Sequence, residues 1–275
     1  MNVLNYIREA LSDNYTMSEI NVIANELLRS IDGLTPAERL THPTPFLANA
    51  QQLIKKMVER LLQGEPLQYV VGNVDFCHAT ILVDKRGLIP RPETAELVEW
   101  ITTTETNTGE ALDIGTGSGC MAVAVAMQMP HVHLSAFDVS LDALKLASEN
   151  AELNQVQIDF SHVNILKTSH WDKTFDFIMS NPPYVQEKEK TSMSATVLNY
   201  EPALALFVSD DDPLLFYRHI ANFAFNQLKP HGALYLEINQ QFGKEVTALL
   251  KTHGFKQIEL RQDLSGHDRM IRACR

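Results

Sequence analysis

The stretch ALDIGTGSGCMAVAVAMQM, residues 111–129, decides the fold of this chain. It joins an apolar strand pattern to an apolar helix pattern through three glycines at alternate positions, Gly115, Gly117 and Gly119. In an open α/β sheet, ligands bind beyond the carboxyl ends of the strands, where such a junction lies. We therefore expect a parallel sheet whose first glycine loop lets a ligand approach the backbone.

Strand and helix patterns alternate along the chain on both sides of this loop. The runs HLSAF, VQIDF, FDFIMS and ALYLEI have strand character, and the segments between them follow a helical period. Repeated strand–helix units predict an α/β fold, with a doubly wound parallel sheet covered by helices on both faces. The last two strand patterns, FKQIEL and DRMIRA, are only a few residues apart and predict an antiparallel pair at one edge.

The amino-terminal part of the chain has helical periodicity instead, from Val3 to about Gly64. Ser18 and Glu19 are the expected start signal of a first stripe formed by Ile20, Ile23, Ala24, Leu27, Leu28 and Ile31. A second helix is predicted over Phe46–Leu62, with a stripe of Leu47, Ala50, Leu53, Ile54, Met57, Val58, Leu61 and Leu62. Because the period changes to two between Val70 and Pro92, we predict a helical domain over 1–70, a hairpin and linker over 71–92, and the α/β domain over 93–275.

Composition and charge exclude several classes of protein. With 23 basic and 34 acidic residues, the net charge of -11 argues against a broad basic face for nucleic acid. Cys77, Cys120 and Cys274 form no CxxC pair, so we expect reduced thiols, no disulfide framework and no metal site. The amino terminus lacks a secretory signal pattern, and the uncharged stretch 114–137 is broken by glycines and a proline, so we expect a cytoplasmic chain without a membrane span.

An acid one strand after the glycine loop narrows the choice of ligand. Asp138 follows the strand HLSAF, 23 positions after Gly115, close to the spacing at which an acid accepts ribose hydroxyls. The loop reads GxGxG rather than GxGxxG, and no Gly-Lys-Ser/Thr follows to hold a triphosphate. S-adenosylmethionine fits better, because its cationic groups suit the neighbouring Asp113. A purely structural turn, with Asp138 capping the next helix, is the alternative.

A second motif, Asn181-Pro182-Pro183-Tyr184, follows the strand FDFIMS. Its prolines fix the backbone and remove two N–H donors, so the turn presents carbonyl oxygens, and Asn181 adds another acceptor. This arrangement suits a planar amino group, whose two N–H bonds the Asn181 oxygen and the Pro182 carbonyl can hold while Tyr184 packs on its flat face. Holding both protons makes the delocalised lone pair more available as charge develops, without a metal. A proline-stiffened loop is the structural alternative.

Taken in order, DIGTGSG, Asp138 and NPPY resemble the S-adenosylmethionine-dependent amino-methyltransferases. Five further segments resemble the N5-glutamine methyltransferases that modify peptide chain release factors: GEPLQYVVG (64–72), LIPRPET (88–94), NYEPALAL (199–206), ALYLEI (233–238) and SGHDR (265–269). The resemblance implies a class I methyltransferase-type fold, with a doubly wound, mostly parallel seven-stranded sheet, an antiparallel edge strand and a small N-terminal helical domain. It also implies that residues 1–70 dock a release factor.

The activity implied by this resemblance is transfer of a methyl group from S-adenosylmethionine to the side-chain amide nitrogen of the glutamine in the Gly-Gly-Gln loop of a release factor, leaving S-adenosylhomocysteine. The implied cofactor-binding residues are Asp113, Gly115, Thr116, Gly117, Ser118, Gly119, Asp138, Asn164, Trp171 and Asn181. The implied catalytic residues are Asn181, Pro182 and Tyr184, and the implied substrate-binding residues are Asn181, Pro182, Pro183, Tyr184 and Glu201. Asn164 and Trp171 are alternatives for the adenine contact, and Glu201 is expected to order the loop over the substrate.

Other functions remain open on the sequence. A ribosomal-protein glutamine methyltransferase would use the same acceptors, and a DNA or RNA adenine N6-methyltransferase would present an equally planar amino group. A cofactor-binding adaptor without chemistry is the non-enzymatic alternative. Because the negative charge is spread along the chain, we expect no stable complex with nucleic acid. We also expect a monomer that does not associate with a membrane, with release factors as the partners that the resemblance implies.

Overall fold

The computed structural model describes residues 3–41, 48–106 and 108–275. The α-helices in these ranges are α1 (Val3–Leu11), α2 (Met17–Asp32), α3 (Pro36–Thr41), α4 (Ala48–Leu62), α5 (Leu67–Val71), α6 (Pro92–Thr104), α7 (Cys120–Gln128), α8 (Leu141–Leu153), α9 (Ala195–Tyr200), α10 (Ala203–Leu206), α11 (Leu215–Gln227) and α12 (Gly243–Thr252). Short 3-10 helices cover Ile165–Lys167, Glu187–Ser192 and Gln240–Phe242. None of these described helices combines the length and the apolar content needed to cross a bilayer.

The strands are β1 (Asn73–Phe76), β2 (Ala79–Leu82), β3 (Gly109–Ile114), β4 (Val132–Asp138), β5 (Ile158–His162), β6 (Phe175–Ser180), β7 (Val185–Gln186), β8 (Phe207–Val208), β9 (Leu228–Glu237), β10 (Lys256–Gln262) and β11 (Asp268–Cys274). Helices and strands divide into two compact units. The helical unit contains the described residues up to Asn73 together with Ser194–Tyr200, and the sheet unit contains Val74–Met193 and Glu201–Arg275.

The helical unit buries the apolar stripe of α2, although its start signal differs from the prediction. The predicted Glu19 takes part in a capping box, but its partner is Thr16 and not Ser18. The Thr16 hydroxyl accepts a hydrogen bond from the Glu19 amide, and the Glu19 carboxylate accepts one from the Thr16 amide at 2.7 Å. Ser18 lies within the first turn of α2, so its side chain is past the capping position.

The stripe of α4 is narrower than the periodicity predicted. Ile54, Met57, Val58 and Leu61 are buried, as shown by the core they share with α1 and α2. Leu53 and Leu62, in contrast, are 48% and 43% exposed. Each is sequence-adjacent to a buried residue, and one step along a helix rotates the side chain by about 100°. The predicted residues Phe46 and Leu47 lie outside the described part of the chain.

The segment after α5 forms a two-stranded hairpin, β1–β2. Cys77 and His78 join its strands and have φ values of +47° and +72°. Two consecutive positive φ values are typical of the tight two-residue turns that match the twist of a hairpin. The chain then reaches α6, which Pro92 begins at a position where no backbone N–H is required.

The helical unit also contains a later segment that periodicity did not predict, α9. The hydroxyl of Tyr200 donates a hydrogen bond of 2.8 Å to the Gln63 carbonyl, just after the end of α4. A six-residue helix is too short to carry a clear apolar stripe, so its membership of the helical unit depends on contacts that the sequence does not reveal.

The sheet unit contains a seven-stranded sheet in the order β10-β11-β9-β6-β3-β4-β5. The pairs β6–β9, β3–β6, β3–β4 and β4–β5 are parallel, whereas β11 runs antiparallel to both β9 and β10. The prediction of a mostly parallel sheet with an antiparallel edge is confirmed. The reversed strand is β11, one position in from the edge, because a short turn after β10 sends the chain straight back beside it.

Helices cover both faces of this sheet, as a doubly wound fold requires. α11 and α12 pack against β3, β6, β9 and β11 in one core cluster. α7 lies between α6 and α8, and every residue from Cys120 to Ala126 is buried, which explains why this helix is apolar all round. Strand order reverses at β3, whose neighbours are β4 and β6, so the glycine loop after β3 lies at the topological switch point of the sheet.

Candidate functional site

Strand register brings the two sequence motifs together at one edge of the sheet. Ile114, the last residue of β3, pairs with Phe137 of β4 and with Ser180 of β6. The next residues along the chain are Gly115, Asp138 and Asn181. A hydrogen bond of 2.6 Å from the Ser180 hydroxyl to the Ile114 carbonyl fixes the ends of β3 and β6 to each other. The glycine loop, the acid and NPPY therefore line a single cavity.

The glycine loop is held in a conformation that only glycines adopt without strain. Gly115, Gly117 and Gly119 have φ values of +73°, +55° and +79°. A Cβ at Gly115 or Gly117 would meet no protein atom within 4 Å, so these two glycines leave room for a ligand. At Gly119 a Cβ would come within 2.9 Å of Ala147, so this glycine instead allows the loop to pack against α8.

Asp138 connects the glycine loop to the end of β4. One carboxylate oxygen accepts a hydrogen bond from the Gly117 amide at 2.9 Å, and the other accepts one from the Ser140 amide at 2.8 Å. Burial raises the pKa of Asp138, and these backbone hydrogen bonds oppose the increase. Each oxygen has a further lone pair, so the carboxylate can still accept hydroxyl groups from a ligand in the cavity.

Asp113 lies beneath the loop and outside the cavity lining. Its side chain is fully buried, and one oxygen accepts a hydrogen bond of 2.7 Å from the Thr116 hydroxyl. The other oxygen, Oδ1, makes no hydrogen bond to any described group. Burial raises the pKa of Asp113 to about 7, with the Thr116 hydrogen bond acting against it and the nearby charge of Asp138 adding to it. Asp113 therefore supports the loop from beneath, and its negative charge depends on the pH near neutrality.

Of the two alternatives for the adenine contact, Asn164 lines the cavity and Trp171 does not. Asn164 begins a 3-10 turn by accepting a hydrogen bond from the Leu166 amide at 2.9 Å, which fixes its side chain. The ring of Trp171 packs edge-on against Phe137, 4.6 Å between centroids, behind the cavity wall. Ile165 lines the cavity next to Asn164, and sequence analysis missed it because an isolated aliphatic residue carries no motif.

The NPPY turn faces the cavity with its first three residues. Asn181, Pro182 and Pro183 line it, whereas the Tyr184 ring packs into the core cluster of the sheet unit. The Tyr184 hydroxyl donates a hydrogen bond of 2.9 Å to Glu237. Burial raises the pKa of Tyr184 well above its usual value, and the Glu237 charge adds to this effect. Tyr184 is thus not among the residues that line the cavity, and its hydroxyl and ring contact other protein groups.

Two buried residues that sequence analysis did not single out complete the turn, Thr94 of α6 and Glu237 at the end of β9. The Asn181 side-chain N–H donates to the Thr94 hydroxyl at 3.1 Å, and that hydroxyl donates to Glu237 at 2.6 Å. Burial raises the pKa of Glu237, opposed by the hydrogen bonds from Thr94 and Tyr184. The available signal was an acid closing an otherwise apolar strand, ALYLE, where a charge is unexpected.

Arg91 and Glu201 form an ion pair behind another wall of the cavity. Their closest atoms are 2.6 Å apart, and the Glu201 side chain is only 1% exposed. Glu201 also accepts a hydrogen bond from the Ile89 amide at 3.2 Å. Ile89, Arg91 and Pro202 line the cavity, but Glu201 does not. The pair therefore fastens the segment before α6 to the segment before α10, consistent with loop ordering rather than substrate contact.

The predicted site residues thus fall into two groups. Those that line the cavity are Gly115, Thr116, Gly117, Ser118, Asp138, Asn164, Asn181, Pro182 and Pro183. Within the described residues, those that lie outside its lining are Asp113, Gly119, Trp171, Tyr184 and Glu201. Three members of the second group contact lining residues directly: Trp171 packs against Phe137, Glu201 pairs with Arg91, and Asp113 accepts a hydrogen bond from Thr116. The cavity combines open space above glycines, one ionisable acid and the acceptors of the NPPY turn.

Comparison with known proteins identifies relatives of both parts of the chain. Residues 92–204 match the family model described as "Methyltransferase small domain", and residues 2–72 match the model described as "PrmC N-terminal domain". The release factor glutamine methyltransferase of Flavobacterium psychrophilum is 42% identical over 270 residues, which cover 96% of this chain and 95% of the relative. That of Bacteroides thetaiotaomicron is 38% identical and covers 98% of each chain.

Solved structures support the fold independently of sequence. A methyltransferase from Pyrococcus furiosus superimposes with a TM-score of 0.54 over 83% of this chain and 98% of its own. Because the sequence identity is 18%, this likeness concerns the fold alone. Together with the strand order, it identifies the sheet unit as a class I methyltransferase fold.

Proposed function

The chain belongs to the family of release factor glutamine methyltransferases, and on this premise we propose that it methylates the side-chain amide of the glutamine in the Gly-Gly-Gln loop of peptide chain release factors. The methyl donor is S-adenosylmethionine, and the product left behind is S-adenosylhomocysteine. The observation that carries this proposal is the strand register that brings Gly115, Asp138 and Asn181 to one cavity. The reaction takes place in the cytoplasm, where release factors act.

The chemical character of the cavity supports S-adenosylmethionine. Gly115 and Gly117 leave space in which the backbone can be approached, and Asp138 can accept the ribose hydroxyls. Asn164 and Ile165 would lie at the adenine. The buried Asp113, with its unpaired Oδ1, supplies negative charge near the cationic groups of the cofactor. When bound, the cofactor supplies an electrophilic methyl group.

Asn181 and Pro182 would hold the glutamine amide. Asn181 donates through its Nδ2 to Thr94, so its Oδ1 is the atom left to accept an amide proton in the cavity. The Pro182 carbonyl would accept a hydrogen bond from the second N–H of the glutamine amide. An amide nitrogen is a weak nucleophile because its lone pair is delocalised, and acceptors on both protons favour the state in which positive charge develops on nitrogen. The proton is lost afterwards, so a strong base is unnecessary.

The helical unit would dock the release factor, as expected for residues 1–70. It exposes large apolar side chains that contribute little to its own core, including Met17, Val22 and Leu53, which are 57%, 58% and 48% exposed. Exposed apolar side chains can mark a protein-binding surface where they adjoin one another, so these three residues are the positions to test. A Val22→Glu variant should raise KM for an intact release factor, but leave KM for a short Gly-Gly-Gln peptide unchanged.

A substrate competition tests the proposed function. The purified chain is incubated with labelled methyl donor and an equimolar mixture of release factor, ribosomal proteins, DNA and RNA, and the label is located by mass spectrometry. We expect label on the release-factor glutamine. Label on a ribosomal-protein glutamine would favour that alternative substrate, and label only on nucleic acid would refute glutamine as the acceptor.

A further inference from the structure

The side-chain amide of Asn181, in the NPPY turn, can face the substrate in either of two orientations. The Asn181 side chain carries an oxygen and a nitrogen on opposite sides of one amide, and rotation by 180° exchanges a hydrogen-bond acceptor for a donor at nearly the same position. Only the orientation with Oδ1 toward the glutamine can accept an amide proton. A residue that fixes this orientation, such as Thr94 at the cavity lining, therefore contributes to the reaction through Asn181.

The hydrogen bonds behind Asn181 run in one direction. The Asn181 Nδ2 donates to the Thr94 hydroxyl at 3.1 Å, and the Thr94 hydroxyl donates its single proton to Glu237 Oε2 at 2.6 Å. Glu237 Oε1 accepts a hydrogen bond from the Tyr184 hydroxyl at 2.9 Å. Glu237 is 1% exposed and Thr94 is 2% exposed, so water does not readily replace either partner.

A carboxylate can only accept hydrogen bonds, so the single hydroxyl proton of Thr94 is used in the hydrogen bond to Glu237. Toward Asn181, the Thr94 oxygen can then act only as a hydrogen-bond acceptor. In the opposite orientation, Asn181 Oδ1 would face the Thr94 oxygen with no proton between them. A contact of this kind is unfavourable, because both buried oxygen atoms lose a hydrogen bond that neither water nor another group replaces. The direction of the chain of hydrogen bonds is thus set by the one group that cannot donate.

The register of β6 and β9 brings Glu237 close to Asn181, as the register of β3, β4 and β6 brings the sequence motifs together. Ser180 of β6 pairs with Leu236 of β9, so Asn181 and Glu237 each follow a paired residue on adjacent strands. Thr94 comes from α6 and lies between the two side chains. The arrangement joins three separate parts of the sheet unit and would be lost if any of them shifted.

We propose that Thr94 and Glu237 are positioning residues that fix the side-chain amide of Asn181 with its oxygen toward the substrate. This inference rests on the proposed function, since it assigns the orientation of the group that holds the glutamine amide. It predicts that the Thr94 hydroxyl matters for the rate of the bound complex and not for binding of the cofactor.

The test compares Thr94→Val, which has nearly the same shape but no hydroxyl, with Thr94→Ser, which keeps it. Thr103→Val is the matched control, because Thr103 lies in the same helix and its hydroxyl donates to the Glu99 and Trp100 carbonyls of that helix. For each variant, kcat and KM are measured with release factor, S-adenosylhomocysteine affinity by calorimetry and Tm by thermal unfolding. We expect Thr94→Val to lower kcat by about tenfold or more while the affinity stays within about twofold. Thr94→Ser should recover most of the loss, and Thr103→Val should match the unmodified chain.

A second variant, Glu237→Gln, keeps the shape but converts one acceptor into a donor, so one hydroxyl must reverse its bond. It should also lower kcat with cofactor affinity retained. The inference is overturned if both Thr94→Val and Glu237→Gln keep kcat within about twofold of the unmodified chain. It is also overturned if Thr94→Val loses cofactor affinity in parallel with kcat, or if Thr94→Ser fails to rescue it. If the unmodified chain leaves the glutamine unmethylated, the proposed function itself fails, and the inference fails with it.

Discussion

A substitution in the glycine loop has two separable effects: loss of space for the cofactor, which lowers affinity, and backbone strain, which lowers stability. Gly115 has φ +73° and lines the cavity, and a Cβ there would meet no protein atom within 4 Å. Gly115→Ala should therefore cost the left-handed strain of about 1–2 kcal/mol, which lowers Tm by roughly 2–8 °C for a domain of this size. The added methyl would occupy the space assigned to the cofactor. We expect the affinity for S-adenosylhomocysteine to fall by at least about tenfold, or about 1.4 kcal/mol.

Gly266→Ala is the matched control for this substitution. Gly266 belongs to the same unit, has φ +83° and would likewise leave an added Cβ with no protein atom within 4 Å, but it lies in a turn outside the cavity lining. Its strain is comparable, so its Tm should fall by a similar amount without any loss of affinity. Calorimetric titration and thermal unfolding of both variants measure the two quantities. Equal affinities in Gly115→Ala and Gly266→Ala would refute the position assigned to the cofactor.

Four other substitutions address separate parts of the molecule. Asn181→Ala should lower kcat by about a hundredfold while cofactor affinity changes little; a collapse of affinity with an unchanged single-turnover rate would contradict its role. The pKa of Asp113 is about 7, so its ionised form, which favours a cationic ligand, is lost as the pH falls. S-adenosylmethionine should therefore bind up to about tenfold more weakly at pH 6 than at pH 8. Asp113→Asn should abolish this pH dependence in calorimetric titrations. Glu201→Ala removes the partner of Arg91, so the free energy of unfolding should fall by about 2 kcal/mol in denaturant titrations. An unchanged free energy of unfolding would mean that the ion pair does not hold the cavity wall in place. Thr16→Ala should destabilise the helical unit by about 1 kcal/mol, and Thr16→Ser should restore most of it.

The sheet could be predicted because its determinants are local. ALDIGTGSG contains a strand, three glycines and a helix start in consecutive positions, and the same strand–turn rule applies to FDFIMSNPPY. Parallel strands end at the same edge of the sheet, so a parallel sheet brings the glycine loop and the NPPY turn close together. The two long helices α2 and α4 could be predicted from their apolar stripes in the same way.

The remaining features depend on contacts between distant residues. Thr94 and Glu237 are 143 positions apart. The pairing of β6 with β9 brings Glu237 close to Asn181, and α6 places Thr94 between the two side chains. Tyr184 was expected at the substrate because it completes a motif, but its hydroxyl finds a buried acid and its ring joins the core. Trp171 was one alternative for the adenine contact because of its ring, although Ile165 reaches the cavity and Trp171 does not. Motifs indicate which loops matter, whereas packing decides which of their side chains face the cavity.

The most direct measurement is the site of methylation on an intact release factor. The chain, S-adenosylmethionine and release factor are combined, and the products are digested and sequenced by tandem mass spectrometry. We expect one added methyl group on the side-chain nitrogen of the glutamine in the Gly-Gly-Gln loop, and loss of this product with Asn181→Ala. A methyl group on any other residue, or none on that glutamine, would contradict the proposed function.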